Sequence, residues 1–202
     1  HAIGFPGLGH GGLAFPPTTE PPLNLSPDYG DAEINAYYAE IHGRKVQNLA
    51  GKAHVNLVVG TIFPNMSFHA NQPRSLAIVH PISPTEVEMW RMYLVDRDTP
   101  ARVQDMLRRY YLRYSGPGGM TEADDMENWT QVTLASQGAI GRRQPFNYQL
   151  GLGKEAPVDG LAGGVASGSY SEGNARIFYR RWKDLMAAPG PFEAEGDARH
   201  GG

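Results

Sequence analysis

Apolar residues recur at helical spacing in two segments of the first half of the chain. In the first segment Asp31 has the position of a helix N-cap, and the spacing of three and four continues until Gly51. In the second, Asp98 or Thr99 is the candidate N-cap and Pro100 takes the first helical position, where proline is favoured. The apolar positions are Ile34, Tyr37, Tyr38, Ile41, Val46 and Leu49 in the first helix, and Val103, Met106, Leu107, Tyr110, Tyr111 and Tyr114 in the second.

Two more helices are predicted in the second half. The glycine-rich turn 116–119 ends the preceding helix, and Thr121 lies three residues before Asp124, as in a helix whose N-cap binds an amide of the first turn. Ser171 is the candidate N-cap of the last helix. Each should have a buried apolar face, formed by Met126, Trp129, Val132 and Leu134 in one helix and by Ile177, Phe178, Trp182, Leu185 and Met186 in the other.

Between the first two helices the chain reads as strands. Runs of β-branched and apolar residues predict strands over 54–63, 66–69, 75–79 and 86–96, and the turn 81–84 makes the last two a hairpin. A short strand is possible over 11–15, whereas the rest of residues 1–30 and the segment 160–168 are rich in glycine or proline and read as loops. The order of one helix, three or four antiparallel strands and three helices is typical of an α+β fold with the helices on one face of the sheet.

Composition narrows the classes of function. The 202 residues fit one domain, and the net charge of −3 argues against a protein that binds nucleic acid or a membrane surface. No secretion signal and no apolar run of about 18 residues is visible, so we expect a cytoplasmic protein. The chain has no cysteine, which excludes disulfides and thiolate-bound zinc or iron–sulfur centres within it. Motifs for phosphate, dinucleotide and nucleophilic serine sites are missing from it as well.

Candidate chemistry centres on the acids that begin the third helix. Asp124, Asp125 and Glu127 crowd its first turns, where carboxylates also stabilise a helix dipole without any catalytic role. Seven histidines are scattered without metal-binding spacing, and His69 is of most interest because it ends an apolar strand. Spacing alone therefore predicts an α+β domain and leaves both roles of the acids open.

Several motifs, in collinear order over roughly residues 9–186, resemble one family. They are Gly60-Thr61-Ile62-Phe63-Pro64-Asn65-Met66-Ser67-Phe68, Glu86-Val87-Glu88-Met89-Trp90, Gly116-Pro117-Gly118-Gly119 with Asp124-Asp125-Met126-Glu127-Asn128-Trp129, Arg143-Gln144-Pro145-Phe146-Asn147, and Tyr170-Ser171-Glu172 with Phe178-Tyr179-Arg180-Arg181-Trp182. The chain resembles the C-terminal catalytic domain of the alpha subunit of Rieske-type aromatic-ring-hydroxylating dioxygenases, such as naphthalene and biphenyl dioxygenases. The third of these motifs is the most specific.

The resemblance implies a helix-grip antiparallel sheet with helices over one face and a mononuclear Fe(II) between them. The family holds this iron with two histidines and one aspartate, which leaves positions open for dioxygen. Asp125 matches the aspartate, while Asp124 and Glu127 keep capping and surface roles.

The sequence departs from the family in its ligand set. The two histidines belong to a D-x-x-H-x(4–5)-H helix that precedes the Gly9–Gly11 region in family members, and the chain contains no such pair. We therefore expect residues 1–188 to be an incomplete catalytic domain and residues 189–202 to be a flexible tail. The missing helix and the [2Fe-2S] Rieske domain are expected upstream of His1, so that the cluster belongs to the full-length protein only. Neither His10 nor His69 falls where the motif requires a ligand.

The resemblance also carries expectations about substrate and partners. Val59, His69, Ser115 and Thr121 match pocket-lining positions, and the small residues at 115 and 121 suggest a roomy pocket. The full-length enzyme would hydroxylate an aromatic substrate with O2, using electrons from NAD(P)H through a reductase or ferredoxin, and would assemble as a homotrimer or an α3β3 complex. The fragment alone would be inactive. The alternative is a metal-free helix-grip module that binds an apolar small molecule in the same cavity.

Overall fold

The fold is α+β, as predicted. A computed structural model describes residues 1–14, 31–49, 56–70 and 74–188, and these contain an antiparallel eight-stranded sheet and four α-helices. The strands are β1 Ala2–Phe5, β2 His10–Ala14, β3 Leu57–Ile62, β4 Met66–His69, β5 Arg74–Ser83, β6 Glu86–Leu94, β7 Ala156–Pro157 and β8 Val165–Ser167. The helices are α1 Ala32–Asn48, α2 Ala101–Ser115, α3 Glu122–Gln137 and α4 Gly173–Ala187. None of the helices in this described part is long and apolar enough to cross a membrane.

The sheet is wider than the sequence pattern predicted. Its strand order is β6-β5-β4-β3-β2-β1-β8-β7, so β1 and β8 lie side by side although they come from opposite ends of the chain. The expectation of three or four strands was wrong because β1 and β8 lie in glycine-rich segments without the apolar alternation of a strand. They form through backbone pairing, with Ala2 opposite both Leu13 and Ser167.

Two helices pack together as their apolar patterns predicted. Asp31 is the N-cap of α1, and its carboxylate accepts hydrogen bonds from the amides of Glu33 and Ile34. Arg102 of α2 forms ion pairs with Asp31 and Glu33 and so joins the starts of the two helices. The core between them consists of Ile34, Tyr37, Val103, Met106 and Leu107.

Two predicted helix starts are wrong by one residue. Pro100 is the N-cap of α2 rather than its first residue, and Thr99 does not cap the helix because its hydroxyl pairs with the Tyr37 hydroxyl at 2.9 Å. Glu172, not Ser171, is the N-cap of α4, since the Ser171 hydroxyl is hydrogen-bonded to Ser167. At α2 a tertiary contact takes the hydroxyl that was expected to cap the helix, and at α4 a residue of the neighbouring strand β8 takes it.

The first turns of α4 lie directly on β1 and β2. Gly4 and Gly11 are opposite each other in the β1–β2 register, and Asn174 and Ile177 of α4 occupy the space above them. A Cβ atom at Gly11 would lie 2.8 Å from the Asn174 Cγ, too close for an undisturbed contact. Asn174 also donates a hydrogen bond to the Gly12 carbonyl at 3.0 Å. The glycine pair therefore lets α4 approach the sheet.

The predicted buried faces of α3 and α4 are only partly present. On α3, Trp129 is 47% exposed and Val132 is 59% exposed, and Glu122 is its buried residue. On α4, Ile177 and Phe178 are half-buried, whereas Trp182 and Met186 are exposed. The prediction was wrong for the later turns of both helices, where the apolar side chains are exposed in the described part of the chain.

Candidate functional site

A cavity of about 880 Å³ lies between the sheet, the α2–α3 connection and α4. Strands β2 to β6 contribute to one side of it, the segment from Tyr114 to Asp125 borders another, and the first turns of α4 border a third. All five site residues that the sequence predicted, Val59, His69, Ser115, Thr121 and Asp125, line this cavity. Positions up to 66 residues apart in the sequence are thus brought to one place, although their roles stay predictions.

On the sheet side, Val59 and His69 are directly opposite each other in the β3–β4 register. Cross-strand partners point to the same face of a sheet, so a cavity that receives one side chain also receives the other. His10 does not line this cavity. Its Nδ1 accepts a hydrogen bond from the Phe63 amide at 3.0 Å, which fixes the loop that starts after β3.

The glycine-rich connection brings Ser115 and Thr121 together at the second side. A Cβ atom at Gly116 would lie 2.4 Å from the Leu112 carbonyl oxygen, so the end of α2 requires glycine there. Thr121 is the N-cap residue of α3, as predicted, but its hydroxyl accepts no hydrogen bond from the amides of the first turn and instead donates to the Tyr114 carbonyl at 2.6 Å. The predicted capping hydrogen bond was wrong because this bond fixes the connection to α2 instead.

Three acids at the start of α3 border the cavity and differ in their surroundings. Glu122 is buried, whereas Asp124 and Asp125 are exposed, and the carboxylates of these two aspartates form no hydrogen bond or ion pair with the described residues. Because a helix turns about 100° per residue, Asp125 lies on the same face as Glu122, three residues on, and Asp124 lies on nearly the opposite face. The face that Glu122 turns to the sheet therefore carries Asp125, an unpaired carboxylate beside the cavity.

The sequence analysis missed the charged partner of Glu122. Arg91 of β6 also lines the cavity, and its Nη2 lies 2.7 Å from the Glu122 Oε2. The alternation along β6 could have indicated it, since Arg91 stands between Met89 and Tyr93 and shares their face. Tyr93 stacks on Tyr111 of α2, so this face is the one that the helices cover.

An aromatic wall at α4 was missed as well. Phe178 and Tyr179 line the cavity, and Phe178 packs edge-on against Phe63 with ring centres 5.0 Å apart. Tyr179 stacks on Tyr148, and a hydrogen bond between the two hydroxyls raises the pKa of Tyr148 to about 12. No helix or strand is predicted over residues 145–152, so nothing in the sequence placed Tyr148 here.

The described side chains around the cavity offer one candidate metal ligand, the Asp125 carboxylate, rather than a complete set of ligands. A hard carboxylate such as Asp125 suits Fe(II). In the described ranges no group of three histidine, cysteine, aspartate or glutamate side chains is placed to hold a metal ion. We therefore derive no reaction step through a metal from these residues.

An antiparallel sheet and helices with a large cavity between them define a fold that can enclose a small molecule. Comparison with known families identifies it further. The family described as "Ring hydroxylating alpha subunit (catalytic domain)" matches residues 10–188, and the chain belongs to this family.

Similar proteins and structures support this assignment. The biphenyl dioxygenase subunit alpha of Paraburkholderia xenovorans (strain LB400) is 36% identical over 129 residues, 64% of this chain and 28% of that protein. The benzene 1,2-dioxygenase subunit alpha of Pseudomonas putida is 35% identical over 130 residues, again 64% of this chain and 29% of that protein. Naphthalene 1,2-dioxygenase from Rhodococcus sp. bound to indole superposes with a TM-score of 0.66 and 27% identity, covering 94% of this chain and 45% of that one. The chain thus spans less than a third of those two curated relatives.

Proposed function

We propose that the whole protein carrying this chain is a ring-hydroxylating dioxygenase alpha subunit that oxidises an aromatic substrate with O2. The chain supplies the sheet, the cavity and one carboxylate of the site. The observation that carries the proposal is the unpaired Asp125 at the border of the 880 Å³ cavity, in a chain whose family is established over residues 10–188.

Asp125 is the proposed aspartate ligand of a mononuclear Fe(II), and two histidines outside the described residues complete the set. When bound, the iron supplies the site at which O2 is activated. The role of α3 is to hold the Asp125 carboxylate at a fixed place on the cavity border. Asp124 serves as the helix-start acid that interacts with the dipole.

The cavity walls orient the substrate in this proposal. Val59 and His69 contact it from the sheet, and Ser115 and Thr121 leave room at the α2–α3 connection. Phe178 adds an aromatic surface on which a flat ring can pack. These side chains are largely uncharged, which suits the neutral aromatic hydrocarbons in the names of the relatives, biphenyl and benzene.

The partners follow from the same family. Electrons would come from NAD(P)H through a reductase or a ferredoxin and reach the iron through a Rieske [2Fe-2S] cluster of the whole protein. The whole protein would work in the cytoplasm as a homotrimer or an α3β3 complex. This chain by itself would not convert the substrate.

The proposal predicts that Asp125 is essential for hydroxylation and Asp124 is not. The whole protein, supplied with its electron donors and isotope-labelled O2, should convert biphenyl, benzene or naphthalene to products that contain the label. Asp125→Ala should lower this rate at least about a hundredfold because the metal loses a ligand. Asp124→Ala, the matched control one residue away, should stay within about threefold of the wild type.

Two results would contradict this. If the whole protein binds these aromatics reversibly without ever forming a labelled product, the metal-free binding module is the better description. If Asp124→Ala abolishes the reaction and Asp125→Ala does not, the ligand has been assigned to the wrong acid.

A further inference from the structure

The charged pair of Arg91 and Glu122 has no part in the function proposed above. Arg91 projects from β6 into the helix layer, and Glu122 is the first residue of α3. The Arg91 side chain is 25% exposed and that of Glu122 is 11% exposed, so both charges are largely removed from water. Such burial is costly for each charge alone, and each therefore depends on the other.

The contact is ionic rather than a well-aligned hydrogen bond. The two atoms nearest each other are 2.7 Å apart. The Arg91 Nε and the Glu122 Oε2 are nevertheless buried without a hydrogen-bond partner in the described residues. Removing one charge would leave the other buried and uncompensated, which is worse than losing a surface ion pair.

Few other contacts fix the direction of α3. Two hydrogen bonds attach its start to α2. The Thr121 hydroxyl donates to the Tyr114 carbonyl, and the Met120 amide donates to the Arg113 carbonyl. Glu122 is its buried residue, and the apolar residues from Met126 onward are exposed. A helix held at the α2 connection alone could swing about that point. The pair with Arg91 adds a second fixed point, on the sheet.

We propose that Arg91 and Glu122 form a clamp that orients α3 on the sheet and so positions Asp125 at the cavity. Arg91 is a positioning residue: it acts on Asp125 through Glu122, which lies one helical turn before Asp125 on the same face. The importance of this position for chemistry rests on the proposed function, whereas the clamp itself can be tested without any reaction.

Hydrogen exchange of the α3 amides tests the clamp in the present chain. Arg91→Met and Glu122→Gln should each raise exchange of amides 125–130 about tenfold, because α3 opens more often when its second fixed point is lost. Arg91→Lys keeps the charge and should restore most of the protection. Arg74→Met is the matched control. It removes a half-buried strand arginine that pairs with Asp96 at a distance of 2.8 Å and takes no part in the Arg91–Glu122 pair, so it should leave the exchange of the α3 amides unchanged.

The same variants in the whole protein separate positioning from general stability. A chelator should remove the iron about tenfold faster from Arg91→Met than from the wild type, with Arg91→Lys close to the wild type and Arg74→Met unchanged. The clamp is overturned if Glu122→Gln, which preserves the volume of the side chain, leaves α3 exchange as in the wild type, or if Arg74→Met exposes α3 equally. If the Arg91 and Glu122 variants raise α3 exchange while Asp125→Ala leaves the activity intact, the clamp is retained and the proposed function is refuted.

Discussion

At the residue scale, Asp31 serves two partners at once. Its carboxylate accepts hydrogen bonds from the amides of Glu33 and Ile34 and also forms an ion pair with Arg102. The hydrogen bond from Arg102 is the main reason that the pKa of Asp31 lies well below its usual range. One side chain therefore starts α1 and joins it to α2.

This double role predicts a specific dependence on pH. Because the folded-state pKa is lowered, the Arg102 contact stabilises the fold above the unfolded pKa of about 3.9 and is lost as the pH falls through the folded pKa. Asp31→Asn can still cap the helix but carries no charge. Urea unfolding should show the wild type to be more stable than Asp31→Asn at pH 6, with a difference that shrinks steadily below about pH 4.

Arg102→Gln provides the control for that experiment. In this background the effect of Asp31→Asn should lose most of its pH dependence, because the ion pair is already absent. An unchanged pH dependence would assign the lowered pKa of Asp31 to the helix amides rather than to Arg102.

The helix N-caps show which roles of single residues can be predicted from the sequence. The position of Asp31 as an N-cap was predicted and is confirmed, because a carboxylate directly before a helix finds its partners locally. Thr99, Thr121 and Ser171 were predicted by the same logic, but their hydroxyls bind Tyr37, Tyr114 and Ser167. Tyr37 is distant from Thr99 in the sequence, whereas the other two partners lie within seven residues. Which neighbour a hydroxyl selects depends on how the connecting segment folds, and the capping pattern does not contain that information.

At the element scale, the contact of α4 with the sheet depends on the Gly4–Gly11 pair. Gly11→Ala would bring a Cβ atom to 2.8 Å from the Asn174 Cγ and 3.2 Å from its Cβ, so either the Asn174 side chain turns away from the Gly12 carbonyl or the start of α4 shifts slightly. We expect a loss of about 1–3 kcal/mol in the free energy of unfolding, as for other overpacked sites. Chemical denaturation of the purified chain measures it.

Gly43→Ala is the matched substitution. Gly43 lies within α1 with nothing within 4 Å of its added Cβ, so alanine should increase the stability by about 0.5–1 kcal/mol. If both substitutions stabilised the chain, close approach of α4 would not be the reason for glycine at position 11.

Elements with strong apolar periodicity were predictable and those without it were not. Helices α1 and α2 follow their patterns and form the core. The β5–β6 hairpin was predicted as well, but its turn is 84–85 rather than 81–84, because residues 81–83 continue β5. Strand β8 was read as part of a loop, because its three residues follow two glycines and gain their structure from β1. The apolar stripe of α3 was read as buried, whereas its residues from Met126 onward are exposed.

At the scale of the whole molecule, the site joins segments that no local pattern connects. The β3–β4 pair, the α2–α3 connection and α4 meet around one cavity. Resemblance to a family identified Asp125 and the four pocket positions from sequence motifs. It gave no indication of Arg91. The alternation along β6 can place this arginine on the face that the helices cover, but only the structure pairs it with Glu122.

Asp125 is the proposed iron ligand of this chain, and the content of mononuclear ferrous iron in the whole protein tests this role. The iron can be quantified by electron paramagnetic resonance of its nitric oxide adduct in the wild type, Asp125→Ala and Asp124→Ala. We predict that the signal per subunit falls at least about tenfold in Asp125→Ala and stays at the wild-type level in Asp124→Ala. An Asp125→Ala protein that keeps its full signal would contradict the account.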